Sequence, residues 1–225
     1  MTLRENRVRL IVGLFIVALG WAPPAFGQDL SSVLSSSGFT ESQKGELTAE
    51  VAHDSAVGIP SSMLVPRIQE GIAKGIGFQR ILAVVRRTSA LLVQARGMLL
   101  GSSAGSRLID DRSAWSLAAA LIDSGVDPAA IEGIARASGG NGSSFRHASV
   151  LYTALVEWGV SAARSLALAE SVQSSRLGPR DYSAIVDLFA LGRSRSIQAD
   201  RMAERILGAF RDAKDFTDLK RRVLY

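Results

Sequence analysis

The sequence predicts an all-α protein made of short antiparallel helices joined by tight turns. Apolar residues recur at helical spacing from Thr40 onward, and no run alternates apolar and polar residues as a half-buried strand would. Helix starts and stops recur at multiples of about 17 residues, so two helices make a unit of about 34 residues, the length of an αα-hairpin repeat. An irregular helical bundle is the alternative, because helix-plus-turn lengths cluster near this value in any helical protein.

Composition narrows the class of protein. The chain has 225 residues, of which 47% are hydrophobic, and a formal net charge of +5. A disordered chain has fewer apolar residues, and a unit of this length can bury a core. The chain has no cysteine, which excludes a disulfide framework, thiolate chemistry and a cysteine-based zinc site.

The N-terminus predicts export. Arg4, Arg7 and Arg9 precede an apolar run, Leu10–Ala22, which is followed by two prolines and by small residues up to Gly27. The run of 13 residues is too short to cross about 30 Å of hydrocarbon as a helix. We therefore expect a secretory signal peptide cleaved after Gly27, and a periplasmic or secreted protein of bacterial type. An uncleaved membrane anchor is the alternative.

Glycine followed by a branched aliphatic residue marks the expected helix ends. These pairs are Gly58-Ile59, Gly75-Ile76, Gly125-Val126 and Gly159-Val160. Glycine takes the left-handed conformation that ends a helix, and the next apolar residue packs back on the helix. The expected helix starts are Pro60, Phe78, Asp111, Pro128, Ser144, Ser161, Pro179 and Ser194 or Ser196.

Two positions within this pattern predict how the helices pack. An aliphatic residue lies six positions after each of the first three glycines, whereas Ser165 lies six after Gly159. We expect a slipped register there, with Leu166 as the core residue. Gly71 lies inside a helix, where glycine costs about 1 kcal/mol relative to alanine. A close helix crossing explains Gly71 best, and a binding contact is the alternative.

The expected segments follow from these signals. Residues 78–100 predict one long helix that runs past Gln94, where the spacing would place a boundary, and the stretch Gly97–Arg107 then breaks it. The predicted segments are a signal peptide (1–27), a flexible Ser-rich leader (28–39), an N-terminal helical subdomain (40–100), a Gly/Ser linker (101–110), a C-terminal helical-repeat subdomain (111–213) and a basic C-terminal helix or tail (214–225).

The sequence gives no catalytic or metal-binding motif. His53 lies near Glu50 and Asp54 on one expected helix, but no metal-ligand spacing supports a site there, and His147 stands alone. The serines form neither a G-x-S-x-G nor an S-x-x-K motif. We therefore predict no catalytic residue, no cofactor and no metal ion.

Carboxylates and a glycine-rich loop leave two weaker alternatives. The acids that a polymer hydrolase would have to pair are Asp110, Asp111, Asp123, Glu157 and Asp181. Asp111 is better explained as a helix cap. The loop Ser138–Ser144 either connects two helices or holds an anion at a helix N-terminus, although it lacks the lysine of a phosphate-binding loop.

The remaining features favour a binding role. Trp115 and Trp158 lie in phase with the apolar stripes, which predicts core positions, but aromatic residues also anchor partners. The basic clusters are too small for nucleic acid, and a peripheral anionic surface is a second kind of partner. We expect a non-enzymatic helical scaffold that binds another envelope protein. The alternatives are a carrier or sensor of an apolar ligand, and an envelope polymer hydrolase that uses paired carboxylates.

Overall fold

The computed structural model describes residues 29–103, 105–174 and 181–225, with only the backbone described at 181 and 182. Every regular element in these ranges is helical, which confirms the all-α prediction. The predicted signal peptide and the helix start at Pro179 lie outside the described residues. Two compact units divide after Gln94. No helix within the described ranges is long and apolar enough to cross a membrane.

The N-terminal unit starts with a docked helix where the sequence suggests a flexible leader. Val33 and Leu34 of this first helix are buried, and the helix packs against the third one, because it offers two adjacent apolar residues in an otherwise polar segment. The helices are α1 (Leu30–Ser35), α2 (Glu41–Ala56), α3 (Val65–Ala73) and the first part of α4 (Phe78–Gly101), with a 3₁₀ turn at Ser61–Met63.

Local signals set the helix bounds in this unit. The Thr40 side chain accepts a hydrogen bond from the Gln43 amide, and the Gln43 side chain accepts one from the Thr40 amide, which caps α2 at both groups. The helix expected at Pro60 begins at Val65, because residues 61–63 first form the 3₁₀ turn. The long helix predicted over residues 78–100 is present as α4.

Within the described residues, the C-terminal unit contains the end of α4 and eight further helices. They are α5 (Gly105–Asp110), α6 (Arg112–Asp123), α7 (Pro128–Ala137), α8 (Gly142–Glu157), α9 (Ala162–Ser174), α10 (Asp181–Ser194), α11 (Ala199–Phe210) and α12 (Phe216–Leu224). The segment 101–110, expected as a linker, thus contains α5, whose Leu108 is fully buried. The basic C-terminal segment is a docked helix, since Leu219 and Val223 of α12 are buried in the core.

Helices in this unit contact their neighbours in a regular pattern. Consecutive helices pack together from α5 to α9 and again from α10 to α12. The link between α5 and α6 is a single residue, Asp111. Helices two apart also pack together: α6 against α8, α8 against α10 and α10 against α12, and likewise α5 against α7, α7 against α9 and α9 against α11. Each of these helices therefore contacts both a consecutive helix and a helix two positions away in the chain.

Five helix ends share one hydrogen-bond pattern. At each end one residue has positive φ: Gly58, Gly75, Gly125, Gly159 and Ser196. The amide that follows this residue donates to the carbonyl oxygen four positions before it, over 2.9–3.0 Å in all five turns. The four predicted glycine stops are therefore confirmed. Ser196 is a helix end, so the helix start expected at Ser194 or Ser196 is wrong; α11 starts after Gln198.

At two of these turns, two side-chain positions face each other. We call them the minus-four and plus-six positions, counted from the positive-φ residue. A Cβ at Gly71 would lie 2.7 Å from Ile81 Cγ1, and a Cβ at Gly192 would lie 3.0 Å from Met202 Sδ. The close helix crossing predicted at Gly71 is therefore confirmed. The minus-four residues are Asp54, Gly71, Leu121, Leu155 and Gly192; the plus-six residues are Leu64, Ile81, Ile131, Ser165 and Met202.

The register does not slip after Gly159. Ser165 is fully buried at the plus-six position, whereas Leu166 is only partly buried. The minus-four residue at this turn is Leu155, also fully buried. The prediction that Leu166 replaces Ser165 in the core is wrong.

Candidate interaction surface

Trp115 is a core residue of the C-terminal unit. It lies in α6, and its side chain is 2% exposed. Four further buried residues of α6 line the same face of the helix: Ala114, Ala118, Ala119 and Leu121. A partner protein would have no access to a side chain with this exposure. Of the two tryptophans proposed as partner contacts, Trp115 therefore drops out.

Trp158 lies where α8 ends and is only partly buried. Its amide donates to the Ala154 carbonyl oxygen at 3.0 Å, which closes the last helical turn. One side of the indole packs on the core formed by α8 to α12. The Arg193 guanidinium lies over the ring, 6.0 Å from its centroid, within the range of a cation–π contact. Trp158 thus combines a buried side with a side near a cation.

A second arginine stacks on an aromatic ring close by. The Arg195 guanidinium lies 4.6 Å from the centroid of the Tyr225 ring. Its Nη1 donates to the Leu224 carbonyl oxygen at 2.7 Å, and its Nη2 donates to the Tyr225 hydroxyl at 3.1 Å. Tyr225 is 91% exposed. These contacts hold the end of α12 against the end of α10 and leave the tyrosine at the surface.

A charged pair joins the α8–α9 turn to the start of α11. Asp200 Oδ1 accepts a hydrogen bond from the Ser161 amide at 2.8 Å, and Asp200 Oδ2 lies 2.9 Å from Arg164 Nη1. The Ser161 amide and, to a smaller extent, the Arg164 guanidinium hold the pKa of Asp200 below its usual range. Since Ser161 follows Trp158 closely, this pair fixes the backbone that carries the indole.

These residues lie at the ends of α8, α10 and α12 and at the starts of α9 and α11, and we call them together the turn surface. It consists of Trp158, Arg164, Arg193, Arg195, Asp200 and Tyr225. Tryptophan, tyrosine and arginine are the residue types that dominate binding energy at protein interfaces. The sequence predicts Trp158 as a protein contact and identifies Arg193 with Arg195 only as one of the small basic clusters. The turn at Ser196 is the signal that would have added both arginines, whereas nothing in the sequence marks Asp200 or Tyr225.

Glu50 and Asp54, two of the residues considered for a metal site, have different hydrogen-bond partners. Glu50 Oε2 accepts a hydrogen bond from Arg86 Nε at 2.9 Å. This hydrogen bond raises the pKa of Arg86, although desolvation of the guanidinium acts in the opposite direction. Asp54 is buried and accepts a hydrogen bond from the Ser89 hydroxyl at 2.5 Å, while His53 is exposed. Within the ranges that the structure describes, no group of three acidic or histidine side chains is arranged to hold a metal ion.

Asp111 caps a helix, as its sequence context predicts. Its Oδ1 accepts hydrogen bonds from the Ser113 and Ala114 amides and from the Ser113 hydroxyl. Burial raises the pKa of Asp111, but the Ser113 hydroxyl and the two amides outweigh this and leave the pKa below its usual range. This carboxylate is therefore engaged in holding α6.

The glycine-rich loop ends beside the same carboxylate. The cap of α8 is Asn141, whose Oδ1 accepts from the Ser144 amide, so the cap expected at Ser144 lies three residues too late. A Cβ at Gly142 would overlap the Asp111 carboxylate. The first turn of α8 thus lies against the Asp111 carboxylate. The glycine-rich loop is therefore a close-packed connector between two helices.

Three of the other acids proposed for a hydrolase, Asp110, Asp123 and Glu157, are the last residues of α5, α6 and α8. Burial raises the pKa of Glu157, which is the neighbour of Trp158 in the chain. Asp110 is exposed at the end of α5, and the side chain of Asp181 lies outside the described residues.

Comparison of the chain with protein-family models, with curated proteins and with solved structures found no match.

Proposed function

We propose that this protein is an exported, non-enzymatic helical scaffold that binds a partner protein through its turn surface. The observation that carries the proposal is the pairing of two aromatic rings with two arginines at the ends of α8, α10 and α12. Rigid aromatic side chains lose little entropy on binding, and arginine offers both stacking and directional hydrogen bonds. Such a cluster favours recognition of another protein.

We further propose that the helices form αα-hairpin repeats. Contacts between helices two apart are the pattern expected when hairpins stack, and five turns with one hydrogen-bond pattern are expected of a repeated unit. The paired minus-four and plus-six positions add a packing relation that is found at two of these turns, Gly71 with Ile81 and Gly192 with Met202. Stacked hairpins present an extended surface, which suits a scaffold.

The proposed compartment is the periplasm or the medium, after cleavage following Gly27. The first described helix begins at Leu30, so the proposed mature chain would begin close to its first docked element. Intact-mass measurement of the protein recovered from the bacterial envelope tests this directly. A mass that includes residues 1–27 would contradict cleavage.

Crosslinking in the envelope tests the scaffold function. We expect mild crosslinking of the tagged protein, followed by mass spectrometry, to recover one partner in near-stoichiometric amount, with crosslinks close to the turn surface. The Trp158→Ala variant should lose this partner. Val150→Ala is the matched control, since Val150 is an exposed apolar residue of the same helix, 42% exposed.

Stability must be measured alongside capture. Trp158 packs partly on the core, so thermal unfolding of Trp158→Ala distinguishes a lost contact from a lost fold. Recovery of background proteins alone from the folded wild-type protein would contradict the scaffold function.

A further inference from the structure

Arg193 differs from the other arginines of the turn surface in what it bonds to. Arg164 pairs with Asp200, and Arg195 donates to Leu224 and Tyr225. For Arg193, the described part of the chain provides the Trp158 ring and no hydrogen-bond acceptor or carboxylate. Its guanidinium is exposed in the last turn of α10. Arg193 is therefore a cation held next to an aromatic ring with its donors available.

The geometry of a stacked guanidinium defines what it binds. The group is planar and carries five N–H donors that point outward in its plane, so contact between its face and a ring leaves the donors free. Two parallel N–H donors match the two oxygens of a carboxylate, which makes a bidentate, charge-assisted pair. The indole limits the orientations of the guanidinium and so reduces the entropy lost on binding.

The surroundings of Arg193 favour a carboxylate on a protein segment. The nearby Asp200 is engaged by Ser161 and Arg164, and Arg195 adds a second positive charge two residues away. The partly buried indole of Trp158 offers apolar surface directly beside the guanidinium. A ligand that satisfies both groups carries an acidic residue next to an apolar side chain.

We propose that Trp158 and Arg193 form a receptor for an acidic-apolar segment of the partner protein, in which an Asp or Glu carboxylate pairs with Arg193. This inference rests on the proposed scaffold function and adds the chemistry of the partner. The neighbouring Arg195–Tyr225 pair extends the receptor along the segment.

Selection of peptides tests the receptor. The probe is a displayed library of random peptides, selected on the purified exported protein, and the selected peptides are then synthesised. We expect enrichment of Asp or Glu next to an apolar residue. Arg193→Gln should weaken binding of these peptides by about tenfold, the effect of losing a hydrogen-bonded charge. Arg193→Lys keeps the charge without the planar fork and should weaken binding less than Arg193→Gln does.

Two controls separate the receptor from general charge and from folding. Arg201→Gln removes an exposed arginine of α11 and should leave peptide affinity unchanged. Fluorescence of Trp158 should change on peptide binding, and Trp158→Phe should abolish the change because Trp115 is buried. Thermal unfolding of each variant verifies that it is folded.

Several outcomes would overturn the receptor. These are selected peptides without acidic residues, equal affinity of Arg193→Gln and wild type, or Arg193-dependent binding of anionic phospholipid vesicles in place of peptides. If a protein partner is captured but ignores Arg193→Gln, this inference fails and the scaffold function stands. If neither peptides nor partner bind the folded protein, the scaffold function itself fails.

Discussion

The turns that end α3 and α10 have the same backbone and different residues. Gly75 has φ 65° at the first turn, and Ser196 has φ 60° at the second. At the first, Gly71 faces Ile81; at the second, Gly192 faces Met202. The glycine that relieves side-chain crowding is thus kept in both, while the glycine that relieves backbone strain is replaced by serine in one. At these two turns, the close approach of the helices is accommodated by glycine in both, whereas the positive φ is adopted by serine in one.

The largest effect is expected at the buried plus-six position of the turn between α8 and α9. Ser165→Leu puts a large side chain into a position of the core that is fully buried, so we expect a loss of about 3 kcal/mol in the free energy of unfolding. Urea denaturation followed by circular dichroism measures it. Ala163→Leu, at an exposed position of the same helix, is the control and should change little.

A double variant sharpens this prediction. Leu155→Ala alone should cost about 2–5 kcal/mol, and combining it with Ser165→Leu should lose at least about 1 kcal/mol less than the two single losses together. Additive losses would show that the two positions do not share a volume, and that the equivalence with the α3 turn is wrong.

The next effect separates the two glycines that face side chains. Gly71→Ala places a methyl group against two branch atoms of Ile81 and should destabilise the protein by about 1–2 kcal/mol, even after the gain in helix propensity. Gly192→Ala meets the flexible Met202 and should change stability by less than about 1 kcal/mol. Thermal unfolding of both variants measures the difference.

Gly45 of α2 provides the control for helix propensity. A Cβ there meets nothing within 4 Å, so Gly45→Ala should stabilise the protein by about 0.5–1 kcal/mol. A Gly71→Ala variant that is as stable as Gly45→Ala would contradict the close crossing of α3 and α4.

A smaller effect is expected from exchanging the positive-φ residues. Ser196→Gly removes the left-handed strain of a residue with a Cβ and should stabilise the protein by about 0.5–1 kcal/mol. Gly75→Ser should cost a similar amount. Chemical denaturation at constant pH measures both, and a destabilised Ser196→Gly variant would mean that the serine side chain has a favourable contact that outweighs its strain.

The smallest effect is the acid sensitivity of the cap on α9. Because the pKa of Asp200 is lowered in the folded protein, its contribution is present at neutral pH and is lost as pH falls below the unfolded value of about 4 through the folded pKa. The stability difference between wild type and Asp200→Asn should therefore shrink in acid. Asp212→Asn, which removes an exposed acid of the same unit, is the matched control. A constant difference for Asp200→Asn from pH 7 to pH 2 would refute the cap.

The helical class and most helix ends follow from local signals, which is why they could be predicted. Each helix end at a glycine depends on that glycine and on the apolar residue that follows it. Gly71 predicts a close helix crossing because glycine is costly inside a helix. The error at Ser165 has a different cause. Ser165 is polar and nevertheless fully buried, and the spacing of apolar residues alone cannot predict a buried serine.

The turn surface could be predicted only in part for the same reason. Trp115 and Trp158 have the same relation to their helices' apolar stripes, yet Trp115 is inside its helix and Trp158 is at the end of one, where part of the ring reaches solvent. The arginine that covers Trp158 comes from α10, and the acid that anchors its turn comes from α11. Helix periodicity contains no information on contacts between such distant residues.

The bond between Ser161 and Asp200 also has a consequence for the order in which the chain folds. The acceptor for the first amide of the α9 turn lies 39 residues further along. A ribosome produces the α8–α9 hairpin before α11 exists, so this end of α9 stays open to water until α11 arrives and closes it. In ribosome-bound chains of increasing length, protection of the Ser161 amide from hydrogen exchange should therefore appear only once α11 has been synthesised.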